Sequence, residues 1–127
     1  MGPALYFDTQ GADRPHGYYG RNLAVVVQHV REEAVFEIRE NTGVLWTTPG
    51  APREISTLLV TSERDGRALW QVEALSPRAG AITYARVPDG FAQMIPSSGP
   101  PAPLRPGERY VVVVRGAAGT ARATFGL

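Results

Sequence analysis

Leu104-Arg105-Pro106-Gly107-Glu108-Arg109-Tyr110-Val111-Val112-Val113-Val114-Arg115 is the stretch whose reading decides the fold. The Pro-Gly pair makes a turn, and the four valines after Tyr110 carry branched side chains that lose χ1 freedom in a helix but pack well on a pleated surface. Arg109 to Arg115 therefore reads as a strand entered through a turn. Beyond it, Gly116 to Gly119 turns again, and the small residues from Thr120 to Phe125 suit a last strand.

Working back towards the N-terminus, turn chemistry recurs at Ser97 to Pro103, Pro88-Asp89-Gly90, Ser76-Pro77, Asp65-Gly66, Pro49-Gly50-Ala51-Pro52 and Asn41-Thr42-Gly43. Little more than a strand's length separates each signal from the next, which is the rhythm of a β-sandwich and leaves no room for crossover helices. Ile55 to Ser62 and Ala68 to Leu75 flank Arg64-Asp65-Gly66-Arg67, and an Asp-Gly pair predicts a tight hairpin between them. Ile82, Tyr84 and Val87 share one segment, and Phe91 to Ile95 forms the next. Arg21 to Thr42 is the longest stretch without glycine or proline and the one place where a substantial helix fits. Its branched residues (Val25, Val26, Val27, Val30, Val35, Ile38) and the like charges of Glu33 and Glu37 at i,i+4 favour two strands instead. These are Leu23 to Val30 and Ala34 to Arg39, joined by a turn at Arg31-Glu32-Glu33, with Phe36 and Ile38 facing the core and Glu37 and Arg39 facing water.

The segment from Leu104 to Val114 resembles the Leu-x-Pro-Gly-x-x-Tyr-x-Val-x-Val signature of fibronectin type III and related immunoglobulin-like sandwiches. In such folds the tyrosine opens strand F, and its hydroxyl reaches back to the backbone of the preceding corner. The resemblance, which covers about residues 54 to 127, implies that Tyr110 fills this role. It also implies that Val112 takes the inward site where antibody domains place their second cysteine, and that Trp70 is the core tryptophan of strand C. The spacing Ile82-Thr83-Tyr84, Val87 to Phe91, Pro96, Pro103-Leu104 and Pro106-Gly107 also looks like a set of uncharacterised bacterial envelope proteins and lipoproteins.

At 127 residues and 43% hydrophobic composition, the chain is long enough for one core and too short for two ordinary domains. Thirteen basic against twelve acidic residues leave a formal charge of +1, which removes general nucleic-acid binders and polybasic membrane sensors, whose affinity rests on a field of one sign. There is no cysteine, so disulfides, thiol nucleophiles and thiolate metal sites are excluded. All thirteen basic residues are arginine, the mark of a GC-rich codon bias. The longest apolar run, Leu23 to Val27, is far short of the roughly 18 residues that a membrane helix needs, and no charged-then-apolar leader opens the chain. No membrane span is expected, and an extracytoplasmic or envelope setting is favoured.

The residues able to carry bond-making chemistry are few. Asp8, Asp13 and His16 are spaced as metal ligands can be, but they read more simply as solvated turn residues; His29, on an apolar strand, reads as an edge histidine. No Gly-x-Ser-x-Gly elbow occurs, the serines at 56, 62, 76, 97 and 98 have no histidine nearby in sequence, and Gly17-Tyr18-Tyr19-Gly20 lacks the spacing of a phosphate loop. Carboxylate pairs such as Glu32-Glu33 and Glu37-Glu40 read as solvated faces. Pro100 to Arg105 matches the Pro-x-x-Pro-x-Arg pattern of SH3 ligands, with an inter-strand loop as the simpler reading. Binding features are richer: Tyr6, Tyr18, Tyr19 and His16 gather in the first twenty residues on a polar, glycine-bearing frame, and Trp46 stands beside the Pro49-Gly50 turn. Tyrosine gives contact area at low entropic cost.

The expectation is an all-β, single antiparallel immunoglobulin-like or fibronectin-like β-sandwich of seven to nine strands, without disulfides or cofactor. Residues 22–127 would form the sandwich, and residues 1–21 an arm or extra strand. The function expected by elimination is a non-catalytic structural or protein-interaction module, as in an assembly component of an envelope, filament or virion. It would contact a protein partner or another copy of itself through Tyr6, His16, Tyr18, Tyr19 and Trp46. A carbohydrate- or small-ligand-binding module is the alternative, and a hydrolase the remote one.

Overall fold

Branched and aromatic residues decide where this backbone extends. A computed structural model describes residues 23–40, 54–117 and 119–127. Within them lie eight strands and no helix: β1 (Leu23–Val30), β2 (Glu33–Glu40), β3 (Glu54–Ser62), β4 (Ala68–Ala79), β5 (Ala81–Thr83), β6 (Phe91–Ile95), β7 (Arg109–Gly116) and β8 (Gly119–Gly126). They form two antiparallel sheets, one of three strands in the order β1-β2-β5 and one of five in the order β6-β4-β3-β7-β8. The valine run of β7 lies in the sheet interior, between β3 and β8, where a strand needs apolar residues on its covered face.

The two sheets close on one core, giving a β-sandwich. Leu23, Val25, Val27, Phe36, Ile38 and Ile82 come from the small sheet; Ile55, Leu58, Val60, Trp70, Val72, Val112, Val114 and Phe125 come from the large one. Phe36 and Phe125 meet edge to face across the gap, with ring centroids 5.4 Å apart. Burying each such side chain is worth roughly 1.5–3 kcal/mol. With no cysteine in the chain, this packing holds the sheets together.

Several local expectations need correction. The β1–β2 turn uses only Arg31 and Glu32, both left-handed (φ 52° and 69°), and Glu33 already pairs with Val30 as the first residue of β2. A two-residue turn with both φ positive twists in the same sense as its strands, and that match sets the register despite the absence of glycine. The Asp65-Gly66 hairpin exists but is not tight. Residues 63–67 form its loop, closed by Ser62 N–H to Arg67 O at 2.9 Å and Gly66 N–H to Ser62 O at 2.8 Å, and Gly66 alone of the pair is left-handed. The register shifts after it, Val60 facing Trp70 and Thr61 facing Ala68, so Leu69 is an extra residue of the kind that bulges a strand.

Ser76-Pro77 does not end a strand either; β4 runs on to Ala79, leaving β3 after Glu73 and rejoining it at Arg78. The strand at Ile82 stops at Thr83, because Tyr84 and Ala85 turn the chain, and Val87 is 43% exposed. Finally, the strand beside β7 is β3, and Trp70 sits on β4, one strand further out. Trp70 is wholly buried, yet its strand is not the neighbour of the tyrosine-bearing strand that the immunoglobulin-like pattern requires of strand C.

Candidate interaction site

Between β6 and β7 the chain runs for thirteen residues, 96–108, without regular structure, and five of them are proline. Proline fixes φ and carries no N–H, so such a segment neither joins a sheet nor wanders far when free. Connections of this length inside a compact domain are uncommon, and when held in place as this one is they are often binding loops.

Side chains on or just beyond three strands pin it to the sandwich. Gln93 on β6 donates from Nε2 to Pro96 O at 3.0 Å and to Gly99 O at 2.8 Å. The Tyr84 hydroxyl, just beyond β5, donates to Ala102 O at 2.7 Å. The Tyr110 hydroxyl, on β7, accepts from Arg105 N–H at 2.8 Å, the back-bond expected of a tyrosine in this position. Behind these contacts stands Trp70, whose Nε1–H donates to Gln93 Oε1 at 2.9 Å and whose ring meets Tyr84 edge to face at 5.3 Å. Burial pushes the Tyr84 phenol up to about 12, with Tyr110 beside it adding to the shift, so Tyr84 remains a neutral donor at ordinary pH.

The pinned loop keeps Pro101 buried and holds Ser97, Ser98, Pro100, Ala102 and Pro103 exposed. Pro103 stands on a ridge between two shallow clefts. One, of about 210 Å³, is lined by Ser62, Arg64, Asp65, Arg67, Leu69, Arg105, Glu108 and Tyr110. The other, of about 270 Å³, is lined by Glu32, Glu33, Tyr84, Pro101, Leu104 and Leu127. The ridge thus has a basic side and an acidic side, the latter partly offset by a 2.6 Å pair between Arg86 and Glu33.

Tyr6, His16, Tyr18, Tyr19 and Trp46, together with Asp8 and Asp13, lie outside the described residues. Among those described, no three metal-ligating side chains converge. His29 is half-buried near the end of β1, and the Ser56 hydroxyl is spent on Arg115 O at 3.3 Å. Val112 is fully buried in the core. Sequence reasoning passed over Gln93 and Tyr84; the one signal for Gln93 was an amide set among apolar residues in a short strand. The hydroxyls and amide here hold backbone in place, an arrangement suited to presenting a surface. No protein-family model, curated protein or solved structure matches the chain.

Proposed function

We propose that this chain is a non-catalytic protein-interaction β-sandwich module that presents residues 96–108 to a protein partner. The observation that carries this reading is the fixed exposure of the loop. Four hydrogen bonds between the loop backbone and Gln93, Tyr84 and Tyr110 hold it in place while Ser97, Ser98, Pro100, Ala102 and Pro103 face outward. A loop ordered before binding gives up little further entropy on contact, which is how a rigid scaffold gains affinity.

The test is photo-crosslinking in the cells that make the protein, with a benzophenone amino acid at Ala102 and, as control, at exposed Arg122 on β8. A discrete protein adduct from position 102 and none from position 122 is the expected result. Equal or absent adducts at the two positions would refute the reading.

A further inference from the structure

Three exposed arginines, Arg64, Arg67 and Arg105, are among the residues lining the cleft on the basic side of the loop, and none of them forms an ion pair with a carboxylate among the described residues. Each offers a planar fork of donors that matches a carboxylate in two bonds. Tyr110 adds a further donor. Its oxygen already accepts from Arg105 N–H, and its own hydroxyl proton has no acceptor among the described residues although the side chain is nearly buried at the cleft.

Resting on the protein-interaction reading, we propose that this cleft binds the carboxylates of an acidic peptide segment of the partner. The cleft holds one or two side chains, and Leu69 and Pro103 give their methylenes an apolar wall. The Asp65 carboxyl in the same lining is held below its usual value first by the Arg67 backbone N–H, against some desolvation, then by the Ser62 hydroxyl, and last by the charges of Arg67 and Arg64. Asp65 and Glu108 in the same lining leave one net positive charge among these groups, and the whole chain carries only +1. That balance suits a short acidic segment and disfavours a polyphosphate strand, whose binding needs an extended basic face.

Titration of the uniformly ¹⁵N-labelled chain with capped hexaglutamate, capped hexaglutamine, inorganic phosphate and a short oligothymidylate tests this. Hexaglutamate should shift the amides of residues 62–69 and 102–110, with an apparent affinity about tenfold or more above that of hexaglutamine, the loss expected when charge-assisted bonds are removed. The exposed triple substitution Arg64→Gln, Arg67→Gln, Arg105→Gln should abolish the shifts while leaving the thermal melt in place. No shift, equal response to hexaglutamine, or tighter binding of phosphate or oligothymidylate overturns the assignment. If the triple variant keeps the adduct at position 102, the cleft proposal falls and the interaction reading stands. If the wild-type chain binds hexaglutamate in the cleft but gives no adduct, the interaction reading falls instead.

Discussion

Trp70 Nε1–H donates to Gln93 Oε1 at 2.9 Å, and through Gln93 this bond joins the largest buried side chain among the described residues to the loop at the surface. Gln93 is suited to the position because its oxygen accepts from the indole while its nitrogen donates to two loop carbonyls. Every polar atom of that amide is thus employed by the tertiary structure.

Replacing Gln93 by Leu keeps the volume but leaves the buried indole N–H and two carbonyls without their partner. The loss should be roughly 1–3 kcal/mol, the cost of unsatisfied buried groups. Urea unfolding followed by tryptophan fluorescence measures it, and the Trp70 indole proton should move upfield as its hydrogen bond is lost.

Tyr110→Phe and Tyr84→Phe each delete one bond to the loop and should each cost roughly 1 kcal/mol. Tyr84 carries a further signature in pH. Because Tyr84 ionises at about 12 in the folded state against 10.0 ordinarily, its contribution is complete below pH 10 and is lost as pH rises from 10 through 12. Melting temperature against pH should therefore fall less steeply over that window in Tyr84→Phe than in the wild-type chain.

Arg31 and Glu32 occupy left-handed backbone that costs a non-glycine residue roughly 1–2 kcal/mol. Replacing the pair by Asn-Gly, the residues that a turn with two positive φ angles prefers, should stabilise the protein by about 1 kcal/mol or more. Differential scanning calorimetry should show a higher Tm, and the pair between Glu33 and Arg86 should remain.

Gly116, at the end of β7, is needed for space. A Cβ there would lie 2.5 Å from Glu54 O and 3.1 Å from Ile55 Cα, both backbone atoms that move only with β3. Gly116→Ala should cost roughly 1–3 kcal/mol, as overpacking does. Gly66→Ala meets nothing within 4 Å and suffers only from its left-handed φ of 74°, so it should be the milder of the two in urea midpoint.

Strand character was written locally and could be read from the sequence. The valines of 23–30 and 109–115, and Phe36 with Ile38, extend the chain and choose an inward face through side-chain branching and alternation, properties that need no distant partner. The Pro-Gly corner before Tyr110 is local as well, since the hydroxyl bonds an amide only five residues back.

Which strands pair, and where the loop is tied, depended on residues far apart in sequence. β3 lies beside β7, and Trp70 sits one strand further out, a pairing set by how the strands pack and not by the local sequence of the hairpin. Gln93 became a tether only when Trp70, 23 residues earlier, was turned to face it, and Tyr84 only when Ala102, 18 residues later, came within 2.7 Å. The arginines of the cleft likewise come from two separate loops. A side chain's hydrogen-bonding capacity is present in the sequence, but its partner is chosen by the packing of both sheets, and that choice exists only in three dimensions.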